Sequence, residues 1–402
     1  MKRVLLLQWS ESAYDSLRGI LDLAGRELEA DGCEVRRIVV DRPGSAQDLA
    51  GLLSRESFTF ALGMSGFGAE LLNADLPGLA PGTRPCSLWE AAKIPFFTWH
   101  CDNPAYYPFR HLVRNKYVVQ GYVFPDHARI ARDCIAGSPV TVAAHIGIPS
   151  RSLMARGSLP LAQRNGRLIF TKSGEDPEAL RQSWGRLIPP VLQEVVRDSV
   201  ADLWGRKIGD FTAVVGGHAE SRGFFLKPGS ILMLMLVQLC DAYLRARQAT
   251  LVMESLMRFP VDVFGAGWGH LDFSRARAVL HGPVGFDETL AVLPDYLGSV
   301  SVNPLVDESV HDRVFFALGA GVVPIGDANA FTRREFPRIG DYAFDLDPDS
   351  VAAAADAALS HPARALEATE ACHAAAADPF GMRESLRRID TFCALQAGSV
   401  YG

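Results

Sequence analysis

Residues 299–327, SVSVNPLVDESVHDRVFFALGAGVVPIGD, constrain the fold of this chain more than any other stretch. Val300 and Val302 alternate with serines, the period of a strand, and Asn303-Pro304 ends it. Ser309, followed three residues on by Asp312, is a capping pattern that predicts a helix starting near Val310. Val314, Phe315 and Leu318 recur at helical spacing and give that helix an apolar face. Gly319 and Gly321 close it, and Val322-Val323-Pro324-Ile325 reads as a second buried strand. Two strands joined by a short crossover helix make a βαβ unit and hence a parallel sheet. Open sheets of this kind bind ligands beyond the carboxyl ends of their strands. A helix amino terminus at that place suits phosphate, because its first N–H groups are unpaired and its dipole is positive.

The same alternation runs through the rest of the chain. Short apolar runs at 4–8, 35–40, 58–63, 94–99, 118–124 and 140–144 read as strands, with a helix over 14–31. Further strands are expected at 168–171, 261–264, 279–282 and 341–344, besides the two already described. A chain of 402 residues exceeds one ordinary core. The polar stretch 150–166 is the natural boundary, so domains are expected at 1–155 and 156–380, with a terminal helix over 381–402 crossing back to the first. Residues 178–257 read as mostly helical, with 205–225 the least regular part and 232–256 a pair of core helices without buried charge.

Three strand ends carry residues with chemical potential. His100-Cys101-Asp102-Asn103-Pro104 directly follows a buried strand, and an imidazole or carboxylate there can take a proton from a hydroxyl. The plainer reading is that Asp102 caps a turn and His100 is a satisfied polar residue; Tyr106, Tyr107 and Phe109 behind them read as packing against the sheet, with a sugar-stacking wall as the alternative. Lys172, at the end of strand 168–171 and before Gly174, is either a solvated lysine or a point charge for a phosphate. Gly265-Ala266-Gly267-Trp268 follows strand 261–264; glycines allow close backbone approach to a nucleotide, and the indole can cover a base.

Composition removes several function classes. Net charge is −6 with no long basic run, which argues against nucleic acid as a partner. Seven cysteines without a C-x-x-C pair suggest reduced thiols in a cytoplasm, neither a disulfide framework nor a zinc site. No signal peptide is expected from MKRVLLLQW, and no apolar run approaches the length of a membrane span.

Asp312-Arg313-Val314-Phe315-Phe316-Ala317-Leu318-Gly319-Ala320-Gly321 resembles the R-V-F-E-A-L-A-x-G signature of group 1 glycosyltransferases of the GT-B fold, and within them the CgeB-like subset. The stretches 261–268 and 280–297 extend the likeness upstream. The resemblance implies an α/β protein of two Rossmann-like, doubly wound domains facing a cleft. It implies an enzyme that moves a sugar from a nucleotide-diphosphate sugar to an acceptor it leaves unidentified, without cofactor or metal. Donor contacts would then fall on Lys172, Gly265, Gly267, Trp268, Asn303, His311 and Arg313, and catalytic roles on Asp102, His100 and Glu308. Many retaining members carry two glutamates eight positions apart. Glu308 fills the first position and Phe316 the second, where it cannot accept hydrogen bonds from a ribose. Phe316 is therefore expected to border the donor site, while Phe315 faces the core. The competing reading is a degenerate relative that binds a glycan or a partner protein without turnover; a sugar-nucleotide epimerase of the same fold is a third.

Overall fold

The computed structural model describes residues 1–10, 13–72, 86–111, 115–134, 140–154, 156–206 and 210–401. The chain forms two compact units, Met1–Gly147 with Met382–Gly402, and Ile148–Gly381.

The first unit is built on β1 (Arg3–Gln8), β2 (Glu34–Val39), β3 (Phe60–Met64), β4 (Phe96–His100), β5 (Val118–Tyr122) and β6 (Thr141–Ala143). They form one parallel sheet in the order β2-β1-β3-β4-β5-β6. Strands β3, β4 and β5 are buried from end to end, so their sequences are mostly apolar on both faces, and the polar exceptions Thr98, His100 and Gln120 lie within hydrogen-bond reach of one another. The helix Ser16–Ala30 buries Ile20, Leu21, Leu23 and Leu28. The helix Met382–Tyr401 packs along it, with Leu386, Ile389 and Cys393 buried and Arg387 paired to Asp31 at 3.2 Å.

The second unit carries β7 (Leu168–Thr171), β8 (Val261–Phe264), β9 (Val279–His281), β10 (Gly298–Val300), β11 (Val323–Asp327) and β12 (Ala343–Phe344). Its sheet is also parallel, ordered β12-β11-β10-β7-β8-β9. The order reverses between β7 and β10, which makes that pair the topological switch point. Among the described residues, the twelve strands overlap the runs picked out by hydrophobic patterning, with ends shifted by a residue or two; β10 stops at Val300, so Val302 lies beyond it.

Helices depart from expectation at three places. The segment expected as an irregular loop over 205–225 contains the helix Phe211–Glu220, started by Asp210, whose carboxylate accepts from the Ala213 amide; 207–209 lie outside the described residues. The expected pair over 232–256 is a single 26-residue helix, Ile231–Leu256, capped by Ser230. That helix buries Asp241 and Gln248, so it does place polar groups in the interior. The central helix runs Asp312–Ala320 with His311 as its N-cap, two residues later than the Ser309 pattern suggests. Ser309 is fully buried, and its hydroxyl faces the Val310 carbonyl, so it is spent inside the loop. Val314, Phe315 and Leu318 pack into the core; burying Phe315 alone stabilises by about 1.5–3 kcal/mol. Gly321, at φ 64°, ends the helix in the left-handed conformation that glycine adopts without a Cβ penalty.

Candidate functional site

At the switch point of the second unit, β7 continues into Thr171-Lys172-Ser173-Gly174 and β10 into Ser301-Val302-Asn303. The amino end of the helix Asp312–Ala320 lies against this seam. Arg313 crosses it, with Nε donating to Thr171 Oγ1 at 3.1 Å. Its Nη1 also lies 3.0 Å from His311 Nε2. His311 Nδ1 caps the helix, accepting from the Arg313 amide at 3.4 Å, and the same ring edge lies against the Asp312 carboxylate. Asp312 in turn accepts from the Arg313 amide at 3.0 Å. Burial lowers the His311 pKa, as do Arg313 and Lys172, so the imidazole is neutral at pH 7. Burial opposes ionisation of Asp312, but His311 and Arg313 prevail and hold it at about 2.

The seam is thus lined by cations. Besides Arg313 there are Lys172, close enough to act on His311, and Arg245, close enough to act on Arg313. Arg245 comes from the long helix Ile231–Leu256, where it lies 3.7 Å from Asp241. The amides of the helix start are largely used, His311's by Asn303 Oδ1, Arg313's by Asp312 and Val314's by the His311 carbonyl, so the attraction for a phosphate-like anion rests on the cations and the helix dipole, against the Asp312 carboxylate.

Several residues assigned to ligand binding from sequence serve other ends. A Cβ on Gly265 would lie 2.3 Å from the Lys172 carbonyl oxygen, and one on Gly267 would lie 2.1 Å from the Gly174 oxygen. Gly174 N donates to Ala266 O at 2.8 Å. The glycines therefore let the loops after β7 and β8 close on each other. Trp268 is 1% exposed, rests beside Phe170 and donates Nε1–H to the Lys172 carbonyl at 2.9 Å, so it supports that loop from beneath and covers no base. Asn303 is buried; its Oδ1 accepts from the His311 amide and its own amide donates to Asp327 Oδ2, both at 2.6 Å. It positions the helix start. Phe316 is 4% exposed and packs edge-on against Phe286, which corrects the expectation that it borders an opening. Glu308 is half exposed and pairs with Arg334 at 3.2 Å.

In the first unit, the ends of β3 and β4 border a cavity of about 300 Å³ lined by His100, Asp102, Arg110 and His111 among others. Asp102 is exposed at its rim, whereas His100 is buried. Gln120 donates its Nε2–H to the Arg110 carbonyl at 3.4 Å, so its Oε1 accepts from His100 Nε2–H and leaves the lone pair of His100 on Nδ1. Burial drives His100 well below its ordinary value and His111 to about 4; both are neutral at pH 7. Arg110 lies over the rings of Phe67 and Tyr107, at 3.9 and 4.4 Å from the centroids. Tyr107 and Phe109 are more than half exposed, against the expectation that they pack on the sheet. Among the described residues, no group of three or more His, Cys, Asp or Glu is placed to hold a metal ion, and no helix is long and apolar enough to cross a membrane.

No family model and no curated protein matches the sequence. Solved structures do. AviGT4, a glycosyltransferase involved in avilamycin A biosynthesis, superposes with a TM-score of 0.51 at 14% identity, over 99% of both chains. HepE from Anabaena, in complex with UDP and glucose, gives 0.51 at 9% identity over 98% of this chain and 100% of that one. An α-glucosyltransferase in complex with UDP gives 0.52 at 9%, over 97% and 100%. The chain has the GT-B fold. Within this GT-B chain, sequence reasoning missed Arg110, Arg245, Gln248 and Asp327. Asp327 was within reach, since an acid directly ending the strand VVPIG obeys the rule that singled out Asp102. Arg245 and Gln248 lie inside a long apolar helix, with no local signal that they turn toward strand ends.

Proposed function

We propose that this protein is a glycosyltransferase that takes a sugar from a nucleoside-diphosphate sugar, held by the second unit, and passes it to a hydroxyl-bearing acceptor held by the first. The observation that carries the reading is Arg313 spanning the switch point to Thr171, with Lys172, Arg245 and a helix amino terminus around it. Leaving-group charge develops on the diphosphate, and fixed cations near it stabilise the transition state more than the ground state. Those side chains supply the positive charge that a metal ion would otherwise bring. UDP in two solved neighbours of the same fold supports a uridine nucleotide as the first donor to try.

In the cavity of the first unit, Asp102 and neutral His100 are the two proton acceptors available to an acceptor hydroxyl. The net charge of −6 speaks for an acceptor other than nucleic acid and the scattered cysteines for a cytoplasmic setting. The reading of a binding module without turnover draws on Glu308, which is engaged by Arg334, and on buried Phe316. Release of UDP from UDP-glucose, with and without a mixed panel of hydroxyl acceptors, separates the two. Tight UDP binding with no release under any condition would favour the module.

A further inference from the structure

Beside the cation-lined seam, the second unit holds another cavity of about 290 Å³, bordered by Gln248, by the loop after β10 and by the start of the loop after β11. This is at the small end of the range for ligand pockets, about 300–1,000 Å³, and suits one ring better than a nucleotide. Its polar groups differ in how far they are already used. Asn329 spends its side-chain N–H groups on the carbonyls of Val306 and Ser309, at 3.1 and 2.6 Å. Arg333 faces Asp345 at 3.5 Å. Asp307 accepts from the Ala330 amide at 2.9 Å. Two lining groups keep an unpaired buried atom: Asn303 at its Nδ2 and Gln248, which is 1% exposed, at its Oε1, the acceptor of the two. A buried acceptor left unpaired is costly, which is why such atoms are rare and usually await a ligand or water. Asp327 lies at the same cavity, and burial lifts its carboxyl to about 7, so near neutral pH it can both accept and donate.

The cavity and the seam are joined by two elements. Asn303 holds His311 with its side chain and Asp327 with its amide. The helix Ile231–Leu256 presents Arg245 and, three residues on, Gln248 along one face. A cation and then an uncommitted acceptor follow each other along that helix, the order in which a diphosphate and a ring of hydroxyls follow each other in a sugar nucleotide.

We propose that this cavity is a monosaccharide subsite, in which Gln248 Oε1 and Asp327 hold hydroxyls of the transferred sugar and set which sugar is accepted. This rests on the donor reading above. It moves sugar recognition away from Glu308, which is committed to Arg334.

Saturation-transfer NMR on the full chain with D-glucose, D-galactose and D-mannose, each with UDP present, tests the subsite. At least one hexose is expected to bind. Gln248→Met, which keeps the volume and removes the acceptor, should weaken that hexose about tenfold or more, while UDP affinity changes by less than about twofold. Gln248→Glu, which keeps an acceptor, should retain hexose binding, and it guards against a Met variant that fails to fold. The proposal is overturned if no hexose binds the wild-type protein or if Gln248→Met binds it equally well. Failure of UDP to bind would overturn the donor reading instead, and the hexose titration repeated without UDP would still decide the cavity.

Discussion

At the switch point of the second unit, between β7 and β10, a guanidinium crosses the seam to a threonine hydroxyl, and two further cations lie near. The first unit has the same kind of sheet, with its own reversal between β1 and β3. There Trp9 and Phe67 stack with centroids 4.5 Å apart, and the polar cavity opens one strand further on, at the ends of β3 and β4. Its ionisable rings are kept neutral by burial, and Arg110 lies over aromatic faces. Topology thus supplies a crevice in both units, while the loop residues decide whether it attracts an anion or offers a base and an apolar wall.

Substitutions can break this contrast or sharpen it. The largest effect is expected at the wall of the second unit. Phe316→Glu buries a carboxylate against Phe286 without a partner and should destabilise by about 3–5 kcal/mol in urea unfolding. An unchanged midpoint with tighter UDP binding would show that Phe316 borders the anion site after all.

Next comes the proposed base of the first unit. Asp102→Asn should lower turnover by about a hundredfold or more while leaving the UDP dissociation constant alone. If UDP affinity falls instead, the first unit also holds the donor and the contrast fails. His100→Gln is the companion variant, because both residues line one cavity.

Arg313→Met tests the anion side. Losing one charged hydrogen bond costs about 1.5–3 kcal/mol, or roughly ten- to a hundredfold in UDP affinity by calorimetry. Full retention would remove the seam as the diphosphate site.

The pH dependence is smaller per unit of pH and has a definite sign. Asp327 has a native pKa of about 7 because burial disfavours its charge. Between about pH 4 and 7 the native state keeps a proton that the unfolded chain has released, so stability falls as pH rises, by up to about 1.4 kcal/mol per unit. The fall should level off above that window and be absent in Asp327→Asn, as urea melts across the range would reveal. Smallest of all, Glu308→Gln should change stability by less than about 1 kcal/mol, since its partner Arg334 is half exposed. A large loss of turnover in that variant would return sugar recognition to Glu308.

Strands were legible in the sequence because parallel strands covered on both faces must be mostly apolar, and runs such as LIFT and VVPI have few other uses. Site residues were legible only in part. Arg313 and His311 follow from a helix start after a strand. Gly265, Gly267 and Trp268 carry the pattern of a ligand loop, yet they answer to a neighbouring loop, and a sequence does not say which of two partners a glycine makes room for. Phe316 failed for a related reason. Helical spacing from Leu318 puts Phe315 on the core face, but this helix buries every residue from Val314 to Ala320, so it has no second face to offer.

The closed pair of loops after β7 and β8 has a mechanical consequence. With carbonyls sitting where Cβ atoms would be, neither loop can shift without pushing the other, and Trp268 wedges both from below. Lys172 is thus carried on a backbone with little slack. Ordering entropy at that loop is already spent during folding, so an incoming diphosphate should find its lysine in place. Hydrogen exchange at Gly174, whose amide closes the pair, should change little when nucleotide is added.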